Sequence, residues 1–472
     1  MRRMLRAVVL LFLVGSSVAA VPAPAFAANT GFRAPLNDSA DPYLTYYQGN
    51  YYAAESRNDA LYMRKAPTLG GLLGADPVLV FDPTDPAADR QVWAPSFMII
   101  NDRWYLYYTA GNGVDDTHRM YALESTATVS GGAKPDGGYV LKGKVAAPDN
   151  DTWSIDGLPF RVNGAWYFVY AGANGSTHNQ LFVAPMSNPW TISGARTYLP
   201  AAGGCPEVRE APAILQRHGR TFLVYSTCDT GKPDYQLWMQ SLDDGQNPLV
   251  AANWHQYPSA VFARHDATGV YAPGSNAFFT SPDGTEDWIV YHAKNTTAFT
   301  YDGRTTRAQK FSWNADGTPN FGAPLAAGAT QAVPSGDPGG GPIAVNDTET
   351  GSQKVTYAGT WSSGAACGVQ CFYGDDHWSS ATGASVTYRV TGSRVALLSV
   401  KDTGNGIAGV SIDGGAETTV DLYAPIRAGE QRQWLSPRLT PGDHTVRVRV
   451  TGQKNPASSG TVVSADRVEV YP

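Results

Sequence analysis

One short strand pattern recurs five times along the chain, and a repeat of this kind restricts the fold more than any other feature of the sequence. Each copy is a polar turn, an aromatic pair, then alternating apolar and aromatic residues ending in a small one. The copies are Gly49-Asn50-Tyr51-Tyr52-Ala53-Ala54, Asp102-Arg103-Trp104-Tyr105-Leu106-Tyr107-Tyr108-Thr109 and Asn163-Gly164-Ala165-Trp166-Tyr167-Phe168-Val169-Tyr170-Ala171. His218-Gly219-Arg220-Thr221-Phe222-Leu223-Val224-Tyr225-Ser226 and Gly284-Thr285-Glu286-Asp287-Trp288-Ile289-Val290-Tyr291-His292-Ala293 complete the set. They stand roughly 53 to 67 residues apart, the length of a four-stranded antiparallel blade with some long loops. No amphipathic helix intervenes. Radial closure protects sheet edges that would otherwise invite pairing with other chains. The expectation is an all-β chain with a five-bladed β-propeller over residues 28–325. A sandwich or barrel is the alternative, but it leaves the spacing unexplained.

Ahead of the first repeat, Arg2, Arg3 and Arg6 are followed by an apolar run from Val8 to Val14 and by small residues ending in Ala25-Phe26-Ala27. This is the order of an export signal with its cleavage site, so residues 1–27 are read as a signal peptide and the chain as secreted and extracellular. The apolar run is too short for a membrane anchor. Export permits disulfides. The four cysteines fall as Cys205 with Cys228 and Cys367 with Cys371, each pair inside one candidate domain. A Cys205–Cys228 bond is expected, while the close spacing of the second pair leaves its bond open. A four-thiolate zinc site is disfavoured by the gap between the pairs and the absence of Cys-x-x-Cys.

A formal charge of −6 supplies no basic footprint for nucleic acid, and neither nucleic acid nor membrane is an expected partner; a monomer is. The chain holds 12 Trp, 25 Tyr and 16 Phe. Most serve as strand core. Those beside polar residues suit sugar rings, whose C–H faces stack on aromatics while their hydroxyls take hydrogen bonds.

About ten positions upstream of each aromatic pair stands a distinctive residue: Asp41 in Asp41-Pro42, Trp93 in Trp93-Ala94-Pro95, Asp156 in Ile155-Asp156-Gly157, Glu210 in Glu210-Ala211-Pro212. A fifth set surrounds Pro273-Gly274-Ser275-Asn276. A single Asp or Glu before Pro or Gly is ordinarily a turn former. Three carboxylates at one offset in superposable repeats instead converge on one funnel. Glycoside hydrolysis needs such a set: a proton donor for the leaving oxygen, and a carboxylate that activates water or attacks carbon. Carboxylates held together in a partly dry funnel also push their pKa values apart. Glu210 is the candidate acid, preferred to nearby Glu207 by its offset. Asp41 is the candidate base, and Asp156 the group that raises and orients the acid.

This arrangement resembles glycoside hydrolase family 43, the five-bladed inverting arabinofuranosidases, xylosidases and arabinanases, over about residues 33 to 325. Beside the four motifs above, Val270-Tyr271-Ala272-Pro273-Gly274-Ser275-Asn276-Ala277-Phe278 and Trp288-Ile289-Val290-Tyr291-His292-Ala293 carry the likeness. The resemblance implies Asp41 as general base, Asp156 as pKa modulator and Glu210 as general acid, with inversion. It implies substrate contacts at Trp93, Phe160 and His292, and at Arg307, with Arg304 as the alternative. Many members carry Gly-His-Asn-Ser where this chain has Gly274-Ser275-Asn276-Ala277. Loss of that histidine speaks against the axial calcium ion it often approaches. No metal site is assigned and no cofactor is required.

Residues 326–344 are rich in Gly, Pro and Ala and read as an exposed linker. Strand signals resume at 345–472, among them Ser385–Val390, Val395–Val400 and His444–Val450. Their outline resembles a jelly-roll, galactose-binding-like β-sandwich. Trp361, Tyr373, Trp378 and Trp434 are its candidate sugar contacts. Within the family, the Val270–His292 segment and Phe311-Ser312-Trp313-Asn314-Ala315-Asp316-Gly317 look most like exo-acting α-L-arabinofuranosidases. The implied partner is plant cell-wall arabinan or another arabinose-containing glycan. β-Xylosidase, endo-arabinanase and galactofuranosidase are the alternatives, with a non-catalytic glycan-binding propeller behind them.

Overall fold

The polar turns of the repeat become tight hairpins. At Gln48-Gly49, Asn58-Asp59, Asn101-Asp102, Asn163-Gly164 and His218-Gly219 both residues have positive φ, the signature of two-residue turns whose twist matches that of the strands they join. A computed structural model describes residues 31–472 except 149, 176, 352, 353 and 366; the export signal expected at 1–27 lies outside the described residues. No helix among them is long and apolar enough to cross a membrane.

Five antiparallel sheets follow one another in chain order. The first holds Tyr43–Tyr47, Asn50–Arg57, Ala60–Ala66 and Val78–Phe81. The second holds Arg90–Ile100, Arg103–Gly111, Arg119–Ser125 and Tyr139–Val145. The third is built on Ser154–Val162, Ala165–Asn174 and Thr177–Asn188, and the fourth on Arg209–Arg217, Arg220–Thr227, Gln236–Asp243 and Trp254–Gln256. The fifth holds Tyr271–Thr280, Asp287–Lys294 and Thr305–Lys310. Its outer strand is met by the N-terminal segment, where Asn37 bridges Thr306.

The repeated aromatic strand is buried on both faces because it is sandwiched between neighbouring sheets. Tyr52 and Leu106 share a cluster between the first and second sheets, and Tyr107 and Phe168 one between the second and third. Val169 and Leu223 link the third to the fourth, and Val224 and Ile289 the fourth to the fifth. Tyr51, Phe279 and Trp288 then join the fifth sheet to the first. Apolar burial therefore runs round the whole set, which accounts for two-sided hydrophobic strands where a sandwich would show strict alternation. The architecture is all-β and multi-sheet, consistent with a propeller followed by a C-terminal sheet domain.

Both cysteine pairs are bonded, Cys205 to Cys228 and Cys367 to Cys371. The segment read as an exposed linker is pinned at two points. Gln331–Ala332 pairs with Gly31–Phe32, and the Asp337 carboxylate accepts from the Leu69 amide at 2.9 Å. In the C-terminal part, a sheet built on Val355–Ala358, Ser385–Gly392, Gly442–Gln453 and Ile407–Ile412 faces one built on Ile343–Asn346, Arg467–Tyr471, Arg394–Lys401 and Ala428–Leu435. Val386, Tyr388, Leu397 and Val468 fill the space between them. Trp361 and Trp434 pack on that core and Tyr373 is exposed. Trp378 lines a cavity of about 330 Å³ with Asp376, Asp402 and Arg427.

Close packing reaches the candidate residues at Gly157, where an added Cβ would lie 2.3 Å from Cε1 of Phe168. Gly157→Ala is expected to lower stability by about 1–3 kcal/mol through overpacking, read as a lower urea midpoint. An unchanged midpoint would contradict this packing.

Candidate active site

The candidate residues sit at bulges. In the first strands of the second to fifth sheets the ladder slips between Trp93 and Ser96, Ile155 and Leu158, Glu210 and Ala213, and Gly274 and Ala277. Each slip leaves a residue in the left-handed region: Ala94 (φ 45°), Asp156 (59°), Ala211 (47°) and Ser275 (48°); Asp41, just ahead of the first sheet, matches them at 51°. Such conformations are costly for residues other than glycine and persist where surrounding contacts fix them.

Those contacts come from the preceding sheet. The Asp41 amide donates to His292 Nδ1 at 3.2 Å, that of Asp156 to Thr109 Oγ1 at 3.1 Å, that of Ala211 to Asp156 Oδ2 at 3.0 Å and that of Ser275 to Ser226 Oγ at 2.8 Å. Thr109, Ser226 and His292 lie at or near the end of the repeated strand, so the small or polar residue closing each repeat has a task. It receives the neighbour's strained amide.

One cavity of about 60 Å³ is lined by Asp41, Ser96, Asp156, Ala211 and Asn276, one from the beginning of each sheet. Asp41 also opens on a polar cavity of about 550 Å³, with Asp38, Trp93, Tyr301 and Arg304 in its walls. The single offset seen in the sequence resolves into two adjacent registers. Asp41 and Asp156 occupy the left-handed position. Trp93 and Glu210 stand one residue earlier, still in the ladder opposite Thr109 and Ser226.

The carboxyl groups are driven apart electrically. Burial would raise Asp41, but the His292 imidazole beside it, the charge of Arg304 and a hydrogen bond from Ser275 outweigh it and hold Asp41 well below the ordinary carboxylate range. Its Oδ1 lies 3.2 Å from His292 Nδ1 and its Oδ2 3.9 Å from Arg304 Nη1. Burial pushes Asp156 up to about 7, helped by the charge of Asp41 and opposed by the Ala211 amide. Glu210 is raised well above its usual value by burial and by Asp156, Asp41 and Asp229, although the Tyr235 hydroxyl donates to its Oε1 at 2.9 Å. His292 is fully buried and held neutral by burial, with Nε2 3.1 Å from Thr230 Oγ1 and its ring stacked on Tyr235 at 5.5 Å.

Asp41, Asp156, Glu210, Trp93 and His292 are thus brought together. Phe160 is not: it is buried between the third and fourth sheets against Tyr167 and Trp254. Arg307 is also displaced from its expected place. In the fifth sheet Thr306 lies opposite His292 and Arg307 opposite Tyr291, so strand alternation turns Arg307 to the other face, where it is buried and Nη2 donates to Asn295 Oδ1 at 2.7 Å. Arg304 takes the position beside Asp41. Glu207 is surface-exposed and paired with Lys232. Tyr235 escaped the sequence reading because it precedes its strand and belongs to no repeat.

Calcium seeks about six to eight oxygens. The 60 Å³ cavity offers the Asp41 and Asp156 carboxylates, the orphaned amide of Asn276 and the hydroxyls of Ser96 and Ser275, and among the described residues no three acidic or imidazole donors converge there. Elsewhere among the described residues, Asp115, Asp116 and His178 cluster on the surface, and Cys367 and Cys371 near Asp376 are consumed by their disulfide.

Adjoining sheets that present an ionised carboxylate and a raised carboxyl group to one cavity define the class, a glycoside hydrolase. Residues 32–319 match Glycosyl hydrolases family 43, and the chain belongs to that family. It is 38% identical over 318 residues to an extracellular exo-alpha-(1->5)-L-arabinofuranosidase of Streptomyces avermitilis, covering 63% of this chain and 65% of that protein. The chain thus spans about two thirds of the length of that relative. The crystal structure of an alpha-L-arabinofuranosidase from Lactobacillus brevis matches 62% of this chain and 97% of its own, with 30% identity and a TM-score of 0.57. A solved glycoside hydrolase shares the fold over 94% of this chain and 100% of its own, at a TM-score of 0.51 and 15% identity.

Raised carboxyl groups destabilise the fold at neutral pH. An unfolded carboxyl ionises above its ordinary pKa, whereas the folded protein must keep Asp156 and Glu210 protonated or bear their buried charge; the penalty is absent below the ordinary pKa and grows as pH rises toward the folded value. Asp156→Asn and Glu210→Gln are therefore expected to stabilise the protein by about 1–3 kcal/mol at pH 7 and by less at pH 4. Denaturation at the two pH values checks this; equal or lower stability at pH 7 would contradict it.

Proposed function

We propose that this chain is a secreted, exo-acting, inverting α-L-arabinofuranosidase that releases arabinose from arabinan or arabino-oligosaccharides. In this reading residues 28–325 form a closed five-bladed propeller, 326–344 connect it, and 345–472 form a jelly-roll sandwich. The opposite displacement of Asp41 and Glu210, two carboxyl groups that both interact with Asp156, carries the proposal. Ionised Asp41, flanked by Arg304 and His292, deprotonates a water. Protonated Glu210 delivers its proton to the leaving glycosidic oxygen as the water attacks the anomeric carbon from the opposite face. Asp156 repels negative charge on Glu210 and accepts from the amide of Ala211, the next residue, so it both raises the acid and orients its backbone. Trp93 forms an apolar wall beside Asp41.

The choice of sugar rests on relatives. The Streptomyces avermitilis protein is named for exo action on α-1,5-linked arabinofuranose. Arabinose as the sole early product from linear α-1,5-arabinan is the expected result for the purified mature protein. Short oligosaccharides would mean endo action, xylose from xylo-oligosaccharides would move the assignment to β-xylosidase, and tight glycan binding without release would favour a non-catalytic propeller.

Within the site, Glu210→Gln is expected to lower kcat on unactivated arabino-oligosaccharides by about 10³-fold, and Asp41→Asn comparably. Glu207→Gln, paired with Lys232 outside the cavity, should stay within about twofold of the parent. Equal losses at Glu207 and Glu210 would sink the acid assignment.

A further inference from the structure

The loop 295–304 joins the last two strands of the fifth sheet and carries Tyr301 and Arg304 into the wall of the 550 Å³ cavity. Its near end is folded by a buried cation: Lys294 Nζ donates to the carbonyls of Gly231 (2.7 Å), Thr300 (2.9 Å) and Ala298 (3.4 Å). The Arg304 Nε–H then donates to the Tyr301 carbonyl at 2.9 Å. Nothing within the loop explains why its first residue holds its position. The contact that does so comes from the C-terminal domain.

Asn295 is buried between the two domains. Its Oδ1 accepts from Arg307, which can only donate, so the amide nitrogen must face the other way; it donates to the Gly429 carbonyl at 3.1 Å. The Asn295 carbonyl in turn accepts from Gln370 Nε2 at 2.9 Å. Further along, Thr296, Thr300, Asp302 and Gly303 face Lys401, Ala428 and Gln431 across a cavity of about 310 Å³. The opposite wall of the active-site cavity is held from the same side. Arg432 donates to the Asp38 carboxylate at 2.5 Å and to the Leu73 carbonyl at 2.8 Å, and Asp38 stands three residues before Asp41.

We infer that the C-terminal domain braces the active-site wall: through Asn295 and Asp38 it holds in register the loop that presents Arg304 and the segment that carries Asp41. Asn295 and Arg432 are positioning residues in this account, and it rests on Asp41 as the base. Arg307 finds its place here as the group that orients Asn295. Around Asp41 stand His292 and Arg304, the carboxyls of Asp156 and Glu210 and the phenol of Tyr235, and the larger cavity adds Asp38, Arg57 and Asp302 to its walls. Of the cations among these, Arg304 lies on the loop braced by the second domain, and Arg57 and Arg432 pair with Asp38.

The test uses the full chain with Asn295→Ala and Arg432→Met, Arg304→Met as reference, and Arg449→Met, paired with Glu417 on the outer face of the same domain, as control. Titration of the Asp41 carboxyl by ¹³C NMR, assigned with Asp41→Asn, needs no substrate. Arg304→Met, Asn295→Ala and Arg432→Met are each expected to raise its midpoint by about half a unit or more, while Arg449→Met leaves it unmoved. On an aryl α-L-arabinofuranoside, kcat/KM of the two positioning variants should fall about three- to tenfold, with the acid limb moved to higher pH. Variants that lose thermal stability yet keep the parent's Asp41 titration would overturn the inference and leave the domain a merely structural neighbour. A raised Asp41 midpoint in a protein that cleaves no arabinofuranoside would uphold the inference and defeat the proposed substrate.

Discussion

Three half-buried carboxyl groups act on one another at the site, and the Arg304 guanidinium stands beside Asp41. Like charges in a low-dielectric site cannot all ionise. Arg304, with the His292 imidazole beside it, settles the charge on Asp41, while burial first, and then the charges of the neighbouring carboxyl groups, raise Asp156 and Glu210. The chemistry proposed for the site needs this inequality more than any single contact.

The fold supplies the inequality at a local cost. Left-handed residues at the inner bulges are strained, and the amides of Asp41, Asp156, Ala211 and Ser275 each donate to a partner on the preceding sheet. The link from the Ala211 amide to Asp156 is the most consequential of these. It joins two sheets, lowers the strain of one bulge and occupies one oxygen of a candidate site carboxylate. Structural and chemical roles are inseparable there. The apolar clusters that join every sheet to the next, and the fifth to the first, keep the bulges converging.

Much of this was legible in the sequence because it is periodic. The aromatic strand and its polar turn recur, and the candidate carboxylates follow from their common distance to it. What was misread depended on parity or on distant chain. Arg304 and Arg307 differ by three positions, an odd number, so they cannot share a face of a regular strand; which one faces Asp41 depends on where the strand begins, at Thr305. Phe160 lies four residues beyond Asp156, but the bulge between them turns it into the core between sheets. Tyr235 and Asn295 act through contacts made outside any repeat, and the segment 326–344 gave no hint in its Gly and Pro that it would lie pinned against the first sheet.

The most direct test of the charge assignment is the configuration of the sugar first released. An ionised Asp41 that activates water, facing a protonated Glu210, requires attack opposite the leaving group. Time-resolved ¹H NMR of an α-L-arabinofuranoside digest should therefore show the β-anomer of arabinose first, with the α-anomer appearing later by mutarotation. The α-anomer appearing first would mean retention through a covalent intermediate, and would contradict the role given to Asp41 as the base that activates water.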